Sequence, residues 1–493
     1  MDPQVSWLPA AAVVVPTLTS ALIVAARRRP DVRDGILVTG AVVTFAIVAS
    51  IVPRVVAGEI LTTPLGQLLP GAELHLTADG MGMVFAALAS LLWVLAGFYA
   101  IGYMRGDRAG NQTRFYAFYS LCLATAFGVA FAGDLLTFFI AYELLTVTTY
   151  PLVAHNGDDK ALTAGRTYLG YLLSGGALVL LGIVIVYATT GELSFAAGGF
   201  VAGSMSPAMT GFVFALFAVG FGTKAGLMPL HAWLPGAMVA PTPVSALLHA
   251  VAVVKGGVFA VGRAVGFVFG PAALTGIPAQ TLLATAAAIT IVTASVIALR
   301  QDHLKRRLAY STIAHLAYIV LGFALLTPAS YEGSLMHIVN HGALKITLFF
   351  AAGAIHIAAH KDYVSQLDGI GRRMPFTMTA FAVAAYGLAG LPPVGGFLSK
   401  WHLVLGAYDG GHTAFAAVMA FSGLFTAAYL FPIVYRAFFR PPPADHPHGE
   451  ASSLMVAPLC ITAGLAVLLG LGDLSGMYAV MADVAGAVTG GAR

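Results

Sequence analysis

The chain alternates between long apolar stretches and short polar ones. A helical membrane span takes ~20 mostly apolar residues. Fourteen stretches qualify, at about 5–26, 36–57, 80–104, 114–132, 134–154, 166–189, 209–235, 241–267, 280–300, 307–327, 331–358, 376–405, 411–436 and 453–480, numbered spans 1 to 14. Barrel strands alternate apolar and polar residues over ~10 positions, whereas runs such as 177–187 are apolar throughout. The pattern predicts an all-α polytopic membrane protein.

The basic residues fall in every second loop. Arg27, Arg28, Arg29 and Arg33 follow span 1; Arg105, Arg108 and Arg114 follow span 3; Lys160 and Arg166 follow span 5. Arg300, Lys305, Arg306 and Arg307 follow span 9; Lys361, Arg372 and Arg373 follow span 11; Arg436 and Arg440 follow span 13. All eighteen share one face, and the opposite face holds Arg54 and Arg493. Short cytoplasmic loops carry the excess of Lys and Arg. The basic face is therefore expected in the cytoplasm, both termini outside, and the protein in the plasma (inner) membrane. Residues 1–22 lack the basic start of a cleavable signal peptide.

Composition narrows the function classes. Only 9% of the 493 residues are Asp, Glu, Lys or Arg, and 59% are hydrophobic, against about 25% charged in soluble domains. That excludes a soluble protein of this size and a disordered one. A net charge of +4 with dispersed bases argues against nucleic-acid binding. Cys122 and Cys460 cannot form a disulfide framework or a multi-cysteine metal site. The sequence shows no GxGxxG, GxxxxGK[ST] or CxxC motif, so no nucleotide, iron–sulfur or metal cofactor is expected. The hydrophilic loop 441–453, with Pro441, Pro442 and Pro443, is too short for a domain.

The charges left over carry the chemistry. Lys224, Lys255, Lys345 and Lys400 lie inside spans, and Glu143 is the one acid clearly central to a span. Each such residue costs ~2.5–3.5 kcal/mol on insertion scales, so intramembrane ionisable groups mark proton or ion pathways. Arg263, near the end of span 8, is expected to snorkel to the interface. Lys400, beside Trp401 and His402, has snorkelling as its structural alternative. For Glu143 the alternative is an ion pair with Lys224 or Arg166. Histidines add a second layer. His249 precedes Lys255 by six residues, and His337, His341 and Lys345 are four apart, which stacks them along one helix face. His356 continues along the same span. Helix–helix hydrogen bonding is the structural alternative for the histidines. Zinc ligation by His337 and His341 is disfavoured by the lysine that follows.

Two spans carry internal Gly and Pro. Span 7 reads Gly226-Leu-Met-Pro229-Leu-His-Ala-Trp233, with Pro235 beyond; span 12 reads Gly390-Leu-Pro392-Pro393-Val-Gly-Gly-Phe397. They share Gly-Leu-x-Pro-x-x-x-aromatic at an offset of 164 residues. Pro removes a backbone hydrogen bond, and irregular backbone at membrane depth belongs inside protein or beside a watery cavity. Paired interrupted helices point to a transporter with repeated halves. The spacing gives two five-span units, spans 4–8 and 9–13, which must be inverted because five is odd. The expected divisions are 1–113, 114–267, 280–436 and 453–493.

Several segments together resemble a known family. They are Asp134-Leu-Leu-Thr-Phe-Phe-Ile-Ala-Tyr-Glu143, Lys224-Ala-Gly-Leu-Met-Pro-Leu-His-Ala-Trp-Leu-Pro235, Ala-Pro-Thr-Pro-Val-Ser-Ala-Leu-Leu-His249, Lys305-Arg-Arg-Leu-Ala-Tyr-Ser-Thr-Ile, and Asn340-His341 through Lys345. Over roughly 70–440 the chain is similar to the antiporter-like, proton-translocating subunits of respiratory complex I, membrane-bound hydrogenases and Mrp-type cation/proton antiporters. The resemblance implies fourteen helices with an inverted five-helix repeat. It also implies roles: Glu143 pairs with Lys224 on the broken seventh helix, Lys255 matches a lysine that some members carry on the eighth, Lys345 is the central lysine of the eleventh, and Lys400 is the terminal residue on the twelfth. A lysine at 400 and a short tail favour resemblance to the D-type component of Mrp complexes. Burial and loss of the Glu143 charge would then make Lys224 release its proton toward Lys255.

Several settings remain open. The chain could serve an antiporter complex, a redox-driven pump whose electron chemistry sits elsewhere, or an inorganic-carbon uptake complex, or it could transport alone. Other membrane subunits and lipid are the expected partners. One intramembrane carboxylate is sparse for a sodium cage, so protons fit better, with sodium handled at an interface.

Overall fold

A computed structural model describes residues 3–69, 72–442, 449–473 and 475–490. Arg493 and Pro443 lie outside the described residues. Among the described residues, twelve helices are long and apolar enough to cross a membrane, from Leu8–Ala25, span 1, to Thr413–Phe439, span 13. Span 12 is divided into Pro375–Ala389 and Gly396–Asp409, and span 14 is the shorter helix Ser453–Leu468. The protein is a multi-pass integral membrane protein, nearly all helical.

Helix starts follow local chemistry. The Asp134 side chain accepts from the Leu136 and Thr137 amides, Asp158 from Ala161, and Ser206 from Met209, each satisfying an otherwise orphaned first-turn N–H. On the basic face, Arg105 bonds Asp31 and Asp34, and Arg436 bonds Asp368.

Both expected breaks are present. The helix of span 7 ends at Ala225, and Gly226 turns the chain at φ +73°. The path is irregular until a single turn at Trp233–Gly236, which contains Pro235. In span 12, Gly390 does the same at φ +92°, and the helix resumes at Gly396. Left-handed glycine is a common helix terminator because it lacks a Cβ. Each break holds a cis proline, at Met228–Pro229 and Pro392–Pro393.

Two elements depart from the sequence reading. The segment expected as loop between spans 2 and 3 is an antiparallel hairpin, β2 (Leu61–Leu69) and β3 (Ala72–Ala78), with β1 (Gln4–Val5) parallel to β2. Its alternation is interrupted by Pro64 and Gly66, where the register shifts. The apolar pattern carries span 14 to residue 480. Its helix stops instead at Leu468, and a second helix, Met477–Thr489, packs on the hairpin face against spans 2, 3 and 11. Gly470 and Gly472 interrupt the apolar run between them.

Arg263 is a correction. It does not snorkel, being 2% exposed, and its guanidinium pairs with both carboxylate oxygens of Asp79 at the start of span 3. Phe195, Phe259 and Phe267 surround it. Removing one partner of a buried pair leaves an uncompensated charge. Asp79→Asn should therefore cost about 3–5 kcal/mol, read as a lower unfolding temperature in detergent. Asp79→Leu with Arg263→Met should recover most of it.

Candidate functional site

The first group gathers on spans 5, 6 and 7. Lys224 sits one residue before the helix of span 7 ends, and it is buried. Its Nζ donates to the Tyr142 carbonyl at 2.6 Å and the Thr146 Oγ1 at 2.8 Å, and lies 3.2 Å from the Tyr142 ring centroid. Glu143 is the next residue along, but among the described residues no hydrogen bond or ion pair joins it to Lys224. Its Oε1 is buried without a partner. The carboxylate lies against Gly176 of span 6, where an added Cβ would meet it at 2.5 Å. The pair implied by the resemblance is thus open in this structure, with lysine and carboxylate held separately.

Span 8 crosses span 7 at backbone contact. A Cβ at Gly257 would come within 2.5 Å of the Ala225 nitrogen and 2.6 Å of the Lys224 carbonyl carbon. Gly257 therefore allows the helix bearing Lys255 to touch the helix bearing Lys224. Gly257→Ala should part the two spans at a cost of about 1–3 kcal/mol, the usual range for overpacking. Thermal unfolding of the purified protein measures it.

The central group is fully buried. Lys255 Nζ lies 2.8 Å from His341 Nδ1. The His341 ring is 5.7 Å from His337 and 5.5 Å from His315. His315 Nδ1 and His337 Nε2 are 3.1 Å apart, and His337 Nδ1 is 2.8 Å from Ser399 Oγ. Lys345 does not bond His341. It donates to the Ser311 hydroxyl at 2.7 Å and the Leu308 carbonyl at 3.1 Å. From Ser311 the contacts run to the Tyr429 hydroxyl at 2.9 Å, to Thr426 at 3.2 Å and to His315 Nε2 at 3.4 Å. A continuous hydrogen-bonded line thus leads from Lys345 to Ser399.

Lys400 follows Ser399 directly. It is 8% exposed, so the snorkelling alternative fails, whereas neighbouring Trp401 is 55% exposed. Its Nζ donates to the Leu388 carbonyl at 2.8 Å and the Ala389 carbonyl at 3.3 Å. These are acceptors that the break at Gly390 leaves without helical partners. Span 7 is closed in a similar way, by Trp233 Nε1 donating to the Thr223 carbonyl.

The structure brings Lys255, His337, His341, Lys345 and Lys400 into one connected region and places Lys224 and Glu143 beside it. It leaves His249 apart. That ring stacks on Phe349 at 4.6 Å, with both nitrogens buried and unpartnered. His356 sits in the last turn of span 11, bonded to Asp362, whose carboxyl this hydrogen bond holds below the usual carboxylate range. Pro229, Pro235, Pro392 and Pro393 all lie in or just past the breaks. Sequence reasoning missed His315, Ser311, Tyr429, Thr426 and Ser399. His315 had a signal, being an ionisable residue central to span 10; the hydroxyl residues had none. Among the described residues no three His, Cys, Asp or Glu side chains converge to hold a metal ion.

These features define a polytopic membrane protein with a buried line of basic side chains running between two broken helices. The family described as "NADH:quinone oxidoreductase/Mrp antiporter, TM" matches residues 132–426, and the chain belongs to it. It is 34% identical over 417 residues to an NADH-quinone oxidoreductase subunit N of Desulforudis audaxviator, covering 80% of this chain and 82% of that one. It is 32% identical to the A/B component of a probable K(+)/H(+) antiporter of Rhizobium meliloti, covering 86% of this chain but 43% of that one. In fold it superposes on a chain of the Mrp complex from Dietzia sp. with a TM-score of 0.87 at 21% identity, covering 98% of both chains. A chain of the Thermus thermophilus respiratory complex I gives 0.83 at 22% identity, covering 97% of this chain and 99% of that one.

Proposed function

We propose that the chain is a proton-translocating subunit of a multisubunit membrane complex, a monovalent cation/proton antiporter in which it takes the place of the D-type Mrp component. The observation that carries the reading is the buried cluster of Lys255, Lys345, Lys400 and three histidines, hydrogen-bonded from Lys345 to Ser399, with the Lys255–His341 pair set against it by ring contacts of 5.5 and 5.7 Å. Three lysines and three histidines in apolar surroundings are costly to bury and supply no packing that Leu would not. They are suited to accept and release protons.

In this reading Glu143 and Lys224 form the input switch. When the carboxylate moves toward Lys224 the ammonium form is favoured; when it withdraws to Gly176, the arrangement observed, that support weakens. Proton transfer then runs to Lys255, the histidine cluster, Lys345 and Lys400. The helices leading into the two breaks enter from opposite faces, in keeping with inverted five-span halves: span 7 enters from the hairpin face with Lys224 in the last turn before its break, and span 12 enters from the basic face with Lys400 beyond its break. The basic face is assigned to the cytoplasm by its Lys and Arg, which puts both termini outside the plasma (inner) membrane. Other membrane subunits complete the complex. Protons are the substrate of this chain, and sodium, where exchanged, is handled at an interface.

A second reading has a specific observation behind it. The NADH-quinone oxidoreductase relative is matched over 82% of its length, whereas the antiporter relative is more than twice as long as the matched region. That favours a proton-pumping role in a redox-driven complex. An inorganic-carbon uptake complex is a third setting. Purifying the native complex and identifying its subunits by mass spectrometry separates them. Small antiporter subunits support the first reading, dehydrogenase or hydrogenase modules overturn it for the second, and a soluble zinc protein overturns it for the third.

A further inference from the structure

A cavity of about 490 Å³ lies away from the buried bases, between spans 2, 3, 11 and 14 and the helix Met477–Thr489. Its lining is almost wholly apolar: Phe45, Val48 and Val52 from span 2, Val84 and Leu91 from span 3, and Val339 from span 11 are typical. Water is a poor occupant, since a buried water needs two to four polar partners. Apart from Ser90, whose hydroxyl bonds the Ala87 carbonyl, the polar side chains lining it gather at one end, Asp473, Ser475 and Tyr478.

The depth of the cavity is defined by three helices. Phe45 lies eleven residues before Val56, Leu91 eleven residues after Gly80, and Val339 eleven residues after Pro328, and those three helix ends are all on the hairpin face. At 1.5 Å per residue the floor is ~16 Å below that face. Half of a ~30 Å hydrocarbon core is ~15 Å. The cavity therefore reaches from the interface to the midplane, the length of one leaflet. Ala49 and Pro53, which line it, and Leu468 at its rim lie toward the lipid-facing sides of spans 2 and 14.

We propose that this cavity is a seat for one acyl chain of a phospholipid from the leaflet on the hairpin face, with the headgroup at the rim lined by Asp473, Ser475 and Tyr478. The seat bears on the ion pathway. Tyr478 donates to the Leu469 carbonyl at 2.6 Å with its hydroxyl 3.4 Å from Asn340 Oδ1, and Asn340 Nδ2 donates to the Gly395 carbonyl at 2.8 Å, inside the break of span 12. A chain in the seat packs against Tyr478 and against Val339, next to Asn340. It thereby braces the segment that positions Lys400.

The test uses the intact complex in vesicles of phosphatidylethanolamine and phosphatidylglycerol doped with a phospholipid whose acyl chain carries a diazirine. After irradiation, adducts are mapped by mass spectrometry. The expected result is several-fold enrichment on residues lining the cavity over the lipid-facing residues Leu173, Leu180 and Val184 of span 6. Ala87→Phe, which fills the cavity from span 3, should remove the enrichment. Should that variant fail to assemble, Ala49→Trp does the same from the exposed side of span 2. Labelling spread evenly over all lipid-facing spans, or unchanged by a filled cavity, overturns the proposal. So does enrichment in the isolated chain that disappears in the complex, which would show that a neighbouring subunit occupies the seat.

Discussion

Lys224→Ala abolishes coupled proton movement in reconstituted vesicles while the complex still assembles. The two halves of that expectation have separate origins. Assembly survives because the substitution removes a costly buried amine and leaves acceptors with other partners: the Tyr142 carbonyl already receives the Thr146 hydroxyl. Transport fails because, among the described residues, no other lysine, histidine or carboxylate hydrogen-bonds Tyr142 or Thr146 to replace the amine. A positioned proton carrier contributes roughly 10²–10⁴-fold to rate, so a fall of at least about 100-fold is expected by the same measure. Glu143→Gln keeps the shape beside Gly176 and deletes only the charge, and it should act equally. Combining the two should cost no more than either alone, as for residues that act as a unit. Near-normal exchange in either single variant would sink the switch assigned to this pair.

Lys255→Met separates function from stability in the opposite sense. The amine is fully buried, and its polar partner is His341 Nδ1. Removing the charge relieves ~2.5–3.5 kcal/mol on insertion scales, and leaving His341 Nδ1 unsatisfied costs about 1–3 kcal/mol. The balance is close to zero or favourable, so the unfolding temperature should hold or rise. Proton transport should nevertheless be lost, because the helix that touches Lys224 would no longer carry an acceptor. A variant that transported normally would move the route away from span 8. A variant that unfolded would make Lys255 a structural residue.

Much of this is legible in the sequence because the bilayer constrains it strongly. Apolar length and alternating basic loops place the spans, and Gly-Leu-x-Pro places both breaks within a residue or two. The chemistry is legible where a lysine violates an apolar run. What stays hidden depends on distance across helices. Whether Glu143 faces Lys224 or Gly176 is a rotamer choice that spacing does not encode. The shared helical face of His341 and Lys345 suggests direct contact, yet Lys345 turns to Ser311 on span 10. Ser and Thr in membrane helices ordinarily bond their own backbone, so Ser311 and Thr426 give no sign of joining a network. Arg263 misleads because its partner, Asp79, lies 184 positions earlier at the head of another span. The hairpin escapes notice because Pro64, Gly66 and two register shifts break its period.

The central region contains bases but no acid. Among the described residues no Asp or Glu contacts Lys255, His341, His315, His337, Lys345 or Lys400. Any proton held there is positive charge without a local counter-charge. At the 5.5 Å between the His315 and His341 rings, two such charges would repel by about 3 kcal/mol at an effective dielectric of ~20. That is roughly a hundredfold in occupancy. The region therefore behaves as a single-file queue with room for one: a newcomer at one end expels the occupant at the other. Direction need not be built into any residue, since it follows from which end is open when the proton arrives.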